Sequence, residues 1–223
     1  MTPDIYDVLN YPQRKKNKEL EHVFDNLGVE LIPFGEKKIF GVPVLGKGWS
    51  SIVIYGMFRG KKAAVKIQRA DSHRISLKRE ASFLRIVNEH EIGPVLYHEG
   101  ENFLIMEYLE GIPIRETVIE KKHIISFFEQ CNVLDLLKID HSQIQGGKHL
   151  IVGEKCWIID FEKAGYRTPR NVSSLISELF LKKTAFAREL KARFCIDKDY
   201  LIAAIRQYKH CFDGKVILDA LQW

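Results

Sequence analysis

Several groups of residues in this 223-residue chain have types and spacing suited to chemistry on phosphate groups. Gly46-Lys47-Gly48-Trp49-Ser50-Ser51-Ile52-Val53 fits the pattern G-x-G-x-x-S-x-V. Glycines at a strand–turn–strand let backbone N–H groups approach phosphate oxygens with no Cβ in the way, although a plain hairpin turn also accounts for Gly46 and Gly48. Lys66 ends the run Ala63-Ala64-Val65-Lys66, whose small and β-branched neighbours predict a partly buried lysine with a snorkelling stem. Glu80 follows in a helical stretch. Asp160 closes the apolar run Cys156-Trp157-Ile158-Ile159. A carboxylate at a strand end offers the hard oxygen that Mg²⁺ takes. Ahead of it, His141-Ser142-Gln143-Ile144 and Gln145-Gly146-Gly147-Lys148-His149 form a polar, glycine-containing loop.

The elements that must position these residues are legible as periodicities. Residues 11–27 have helical spacing, with Leu20, Val23, Phe24 and Leu27 on one side and Gly28 as the stop. The segments KIFGVPVLG, SSIVIYGMFRG and KKAAVKIQ read as strands broken by glycines. Residues 72–90 read as a helix with the stripe Ile75, Phe83, Leu84 and Val87. PVLYHEG and NFLIMEY are two further strands turning at Gly100. Residues 122–139 form a strongly apolar helix. A hairpin follows, HLIV and CWIID around Gly153-Glu154, then helices over roughly 172–194 and 197–209. Asn171 or Ser173 is the expected cap of the first. The order predicts an α+β chain, a mixed β part before a helical part with a cleft between them.

In combination the motifs resemble the protein-kinase-like superfamily over residues 41–164. They are most similar to its small archaeal members, predicted serine/threonine kinases distantly similar to RIO kinases and to the kinase of the KEOPS tRNA-modification complex. The resemblance implies a two-lobed fold: an N-terminal helical extension over 1–34, an antiparallel N-lobe with one helix over 35–108, and a minimal, mostly helical C-lobe over 109–223. It implies ATP and Mg²⁺ as cofactors. By that similarity Leu45, Gly46, Lys47, Gly48, Trp49, Ser50, Ser51 and Val53 form the loop and wall that cover ATP, and Ala64 completes the base sandwich. Lys66 contacts the phosphates and Glu80 holds it. Met106 is the gatekeeper, and the backbone of Glu107, Tyr108 and Leu109 meets adenine. Asp160 of Asp160-Phe161-Glu162 is the metal ligand, with Glu where Gly is usual.

The catalytic loop departs from the pattern H-R-D-L-x-x-x-N. Gln143 stands where Asp is expected, and the Asn position falls on Lys148, or on His149 with one inserted residue. Gln143 can accept a hydrogen bond from an acceptor hydroxyl but cannot take its proton. Asp140 or His141 are alternatives for the base, with a structural role the usual one for such a histidine. Lys148 is a candidate cation beside the γ-phosphate, and His149 a candidate metal ligand. The segment after Asp160 runs almost straight into a helix, which leaves no gated activation loop and no peptide-docking platform. Three readings follow: an atypical serine/threonine protein kinase with an unknown phosphoacceptor, expected to be a protein; a nucleotide-binding pseudokinase; or a small-molecule kinase.

Bulk properties set the frame. The chain is 46% hydrophobic and 28% charged, as expected of a globular protein. No apolar run approaches the ~20 residues that span a bilayer. No signal pattern opens the sequence. Cys131, Cys156, Cys195 and Cys211 show no C-x-x-C pair and read as reduced thiols, mostly in the core, of a cytoplasmic protein. The net charge of +5 gathers at residues 14–18 and 181–194, read as solvated helix faces or as a docking surface for an anionic partner.

Overall fold

The computed structural model describes residues 4–72 and 77–223. The chain divides into two compact units, one ending at Leu109 and the other beginning at Glu110.

In the first unit, helix α1 (Lys18–Leu27) starts where the Asn17 side chain accepts the Leu20 N–H at 3.1 Å and ends at Gly28, whose φ of 72° suits a residue without a Cβ. The helix is shorter than the expected 11–27. Pro12 and the polar run through Asn17 offer no apolar face to bury, and a short 3₁₀ turn, Ile5–Val8, precedes them instead. The basic residues Arg14 and Lys16 therefore lie ahead of the helix, where they pair with Asp7 at 3.3 Å and Asp4 at 2.6 Å.

Eight strands follow: β1 (Val29–Ile32), β2 (Lys37–Ile39), β3 (Val42–Val44), β4 (Gly46–Lys47), β5 (Ser51–Phe58), β6 (Lys61–Gln68), β7 (Leu96–Glu99) and β8 (Phe103–Glu107). An antiparallel sheet runs β1-β5-β6-β8-β7, with β4 also paired to β5. β1 is a strand that the sequence reading does not anticipate. The single strand expected over KIFGVPVLG is instead the hairpin β2–β3, because Phe40 and Gly41 turn the chain with φ of 52° and 86°. Helix α2 (Lys78–Asn88) buries Glu80, Ala81, Phe83, Leu84 and Val87. Residues 73–76, including the expected stripe position Ile75, lie outside the described residues.

Register sorts the sheet into two faces. Ile52, Ile54, Ala63, Val65, Ile67, Phe103 and Ile105 pack with Ile5, Val8, Leu9 and Phe24 in one buried cluster. Phe24 is fully buried and meets Phe103 edge-on at 5.0 Å. Truncating it to alanine is expected to cost ~3–5 kcal/mol. The N-terminal segment thus seals one face. The cross-strand pairs Val53↔Lys66, Tyr55↔Ala64, Ala64↔Met106 and Lys66↔Leu104 place these side chains together on the other.

The second unit opens with β9 (Gly111–Pro113) and α3 (Lys121–Leu136), then β10 (Ile139–Asp140), β11 (Leu150–Gly153), β12 (Cys156–Ile158) and β13 (Gly165–Tyr166). Strands β12-β11-β9 form one sheet and β10–β13 a two-residue pair. α3 stops earlier than expected because Lys138 adopts φ 60° and sends Ile139 into β10. Four helices complete the unit: α4 (Asn171–Ile176), α5 (Ala185–Arg193), α6 (Lys198–Cys211) and α7 (Lys215–Leu221). The one helix expected over 172–194 is broken. α4 runs into a π turn, Ser177–Leu181, and Thr184 caps α5 afresh by accepting the Ala187 N–H at 3.1 Å. Neither Asn171 nor Ser173 caps α4. Arg170 holds the cap position without a side-chain bond, and Asn171 is used elsewhere. Cys131 and Cys156 are buried whereas Cys195 and Cys211 are exposed, so half of the thiols, not most, lie in the core; all four are free. Among the described residues no helix is long and apolar enough to cross a membrane.

Candidate functional site

In the first unit, Lys66 reaches across the sheet face to Glu80 of α2, with Nζ 2.8 and 2.7 Å from the two carboxylate oxygens. Their side chains are only 6% and 3% exposed. A buried pair of this kind is costly to desolvate and is kept where its geometry has a use. Val53 and Ala64 lie on the same face, and Met106 is buried beside them. Tyr55 extends this face and meets Tyr108 edge-on at 4.8 Å and Phe34 at a tilt at 5.1 Å, an aromatic group that no sequence motif announces. In the segment 107–109, the Glu107 N–H is spent on Val95 O at 2.8 Å and the Tyr108 N–H on Lys62 O at 3.3 Å, while the Leu109 N–H has no backbone partner among the described residues.

The glycine loop closes with the Gly48 N–H donated to Ser51 O at 2.8 Å. A Cβ on Gly46 would meet only Val53, at an ordinary 3.5 Å. The fold itself therefore tolerates a side chain there, and its absence keeps the space above the sheet face clear. Leu45 is partly buried, Ser50 and Ser51 are buried, Lys47 is exposed, and Trp49 stands out at the tip, 91% exposed. Arg69 holds the loop. It donates from Nη1 to Gly48 O at 3.0 Å, is gripped by Asp71 at 2.8 and 2.7 Å, and lies over the Tyr11 ring at 4.8 Å. Lys47 approaches the same ring at 5.0 Å. Tyr11 O in turn accepts the Ala70 N–H at 2.9 Å, which ties the N-terminal segment to the loop.

In the second unit, Asp160 takes the left-handed conformation, φ 66°, which is uncommon for a residue with a Cβ and recurs at constrained sites. His149 comes to it, with Nε2 3.6 Å from Asp160 Oδ2. A carboxylate oxygen of Glu162 lies within 4.8 Å of one on Asp160. The two neighbouring carboxylates of Asp160 and Glu162 offer the hard oxygens that a divalent cation such as Mg²⁺ takes. Lys148, next to His149, is exposed.

The loop before β11 is fastened from behind. His141 is fully buried, donates from Nε2 to Ile159 O at 3.0 Å, and accepts the Gln143 N–H at Nδ1 at 3.3 Å. Burial, with His149 nearby, lowers its pKa from 6.5 to about 4. The ring is neutral and both nitrogens are engaged. Gln143 Oε1 is buried with no hydrogen-bond partner among the described residues. Ser142, next to it, is a second left-handed residue, φ 66°. Asp140 is committed. Oδ2 accepts from Ser142 Oγ at 2.5 Å and pairs with Arg167 Nε at 2.7 Å, and Oδ1 accepts the Arg170 N–H at 3.3 Å.

Two buried anchors beneath this loop have no motif. Asp135 of α3 accepts the Asn171 N–H at 2.9 Å, its Nδ2 at 2.8 Å and the Tyr208 hydroxyl at 2.9 Å. Asn171 in turn donates to Ile139 O at 2.7 Å and accepts the His141 N–H at 2.9 Å. Glu178 accepts the Gly146 N–H at 2.8 Å and pairs with Arg115 and Lys182. Burial acts to raise the Glu178 carboxyl, but the Gly146 N–H, Lys182 and Arg115 outweigh it and hold the pKa below its ordinary value. Asp135 was findable. It lies four residues after Cys131, on the apolar stripe of α3, where an acid needs partners.

Compared with solved structures, the chain is similar to the Rio2 kinase of Chaetomium thermophilum, solved as an ADP/Mg²⁺-phosphoaspartate complex, at 14% identity and a TM-score of 0.53 over 91% of this chain and 74% of that one. The fold is therefore protein-kinase-like, α+β, with an antiparallel sheet in one unit and mostly helices in the other. By sequence, the chain is 36% identical over 83 residues to the uncharacterized protein MJ1211 of Methanocaldococcus jannaschii, a match covering 34% of this chain and 72% of that protein. The two belong to one family. No protein-family profile matches the chain.

Proposed function

We propose that the chain is an ATP- and Mg²⁺-dependent phosphotransferase, an atypical kinase acting on serine or threonine of a protein. The observation that carries this reading is the buried Lys66–Glu80 pair on the sheet face shared by Val53, Ala64 and Met106. It is supported by the similar Rio2 kinase, whose complex holds ADP and Mg²⁺. Lys66 binds the ATP phosphates, and Glu80 keeps its ammonium in place. The apolar face and the Leu109 N–H take the base. Asp160, with His149 beside it, holds the metal, which would supply charge neutralisation on the phosphates.

Gln143 positions the acceptor. Its Oε1 has no partner among the described residues, an unmade bond that costs ~1–3 kcal/mol and that a turn of the side chain toward a hydroxyl would satisfy. His141 holds the loop and takes no proton. A second reading, a nucleotide-binding pseudokinase, is favoured by one specific observation: Asp140, the carboxylate nearest the loop in sequence, is bound by Arg167 and Ser142.

The test has two parts. ATP binding is measured by calorimetry with and without Mg²⁺ in wild type and Asp160→Asn, and γ-phosphate release is measured in wild type, Gln143→Ala and Asp140→Asn. The proposal expects Mg²⁺ to tighten ATP binding only when Asp160 is present. It expects release to fall less than tenfold in Gln143→Ala, the value of one neutral hydrogen bond of ~1 kcal/mol. A loss of ~100-fold in Asp140→Asn, with Gln143→Ala unaffected, would move the base to Asp140. ATP binding without any release would favour the pseudokinase, and no ATP binding overturns both.

A further inference from the structure

The second unit contains a cavity of about 560 Å³ whose wall includes Asp140, Ser142, Arg167, Thr168, Arg170 and Ser174. We infer that this cavity is a binding site for the phosphoryl group of a small phosphorylated ligand, and that the ligand competes with Asp140 for Arg167. The site lies wholly within the second unit, and its argument does not use the Lys66–Glu80 face.

The chemistry of the wall points to an anion with several acceptor oxygens. Two guanidinium groups and three hydroxyls line it, against one carboxylate, so the wall carries a surplus positive charge. Guanidinium forks and hydroxyls together match a phosphate monoester, whose oxygens accept several bonds at once. Arg170 is exposed and its guanidinium has no partner among the described residues. Arg167 shows what the site accepts. Its Nε holds the Asp140 carboxylate at 2.7 Å, and its Nη2 donates to the Ser142 hydroxyl and, at 2.9 Å, to Lys163 O. Asp140 therefore occupies the site as an internal anion. The volume exceeds what one phosphate needs and lies in the range of small-ligand pockets, leaving room for an organic portion of sugar size.

Competition gives the proposal its distinctive consequence. A phosphoryl group that takes Arg167 releases Asp140, which belongs to the same loop as Gln143. Ligand occupancy would then set whether that carboxylate is paired with Arg167 or held by Ser142 and the Arg170 N–H alone.

The experiment titrates inorganic phosphate and glucose 6-phosphate, each against chloride at matched ionic strength. It follows thermal stability and heat of binding in wild type, Arg170→Ala, Arg167→Ala and Asp140→Asn, with circular dichroism to check each fold. The expected result is saturable binding in the millimolar range for wild type, at least tenfold weaker in Arg170→Ala and Arg167→Ala, and several-fold tighter in Asp140→Asn, which lacks the competing charge. Tighter binding of glucose 6-phosphate assigns an organic phosphate, and equal binding assigns free phosphate. The proposal is overturned by no saturable response to either probe, by an unchanged response in both arginine variants, or by weaker binding in a folded Asp140→Asn.

Discussion

Replacing Lys66 with methionine separates two roles that the structure gives one side chain. The pair it forms with Glu80 is buried, with contacts of 2.7 and 2.8 Å. Unit charges ~4 Å apart attract by ~4 kcal/mol at an effective dielectric of ~20, and that attraction is offset by the cost of taking both out of water. Removing one partner takes from the other its close, buried counter-charge, at ~3–5 kcal/mol. Lys66→Met is therefore expected to lose ~3–5 kcal/mol in urea denaturation, Glu80→Leu a similar amount, and the double variant Lys66→Met/Glu80→Leu to recover most of it. Function should not recover. A lysine–phosphate hydrogen bond is worth ~1.5–3 kcal/mol, so ATP affinity falls roughly tenfold to a hundredfold in the stable double variant as in the single. Additive losses of stability would show that the two charges are not coupled. A double variant that binds ATP like wild type would refute Lys66 as a phosphate ligand.

Acid should act through His141. Its pKa is depressed from 6.5 to about 4, so its contribution is whole above pH 6.5 and is lost as pH falls toward 4, by up to ~3 kcal/mol. Asp135, raised by burial, titrates with the opposite slope, its contribution being lost as pH rises through the folded pKa. The comparison is therefore between wild type and His141→Asn in urea denaturation from pH 7 to 4.5, and an unchanged slope in the variant would rule His141 out. Arg69→Ala should weaken ATP binding about fivefold, for the loss of ~1 kcal/mol at Gly48 O, with little change in global stability, as read by calorimetry beside thermal unfolding. Glu178→Gln should loosen the loop at Gly146, seen as faster hydrogen exchange of that amide, while the Lys66-dependent part of ATP binding is unchanged.

The sequence by itself determined much of the layout. The strand character of the segments holding β5, β6 and β8 was legible, and the strand period of two then sends alternate side chains to opposite faces. The apolar stripes placed both ends of α3 to within three residues and the end of α2 to within two, while α2 starts six residues later than expected. The lysine in a run of small residues and the glutamate in the next helix were expected to pair through the kinase resemblance, not from their spacing. Only the tertiary structure made them a pair at 2.7 Å, since the strand and helix meet through packing and not through spacing. It also decided the ends of elements, where local letters compete. Pro12 and Asn17 moved the start of α1, Lys138 ended α3, and Asn171 left its expected cap to join Asp135 and His141. The loop's supports, Glu178 and Asp135, lie 32 residues from Gly146 and 36 residues from Asn171, and no periodic signal spans such distances. What the folded chain adds is contact between residues remote in sequence. Those contacts decide which His, Asp and Gln of one polar loop are committed to the fold and which remain for chemistry.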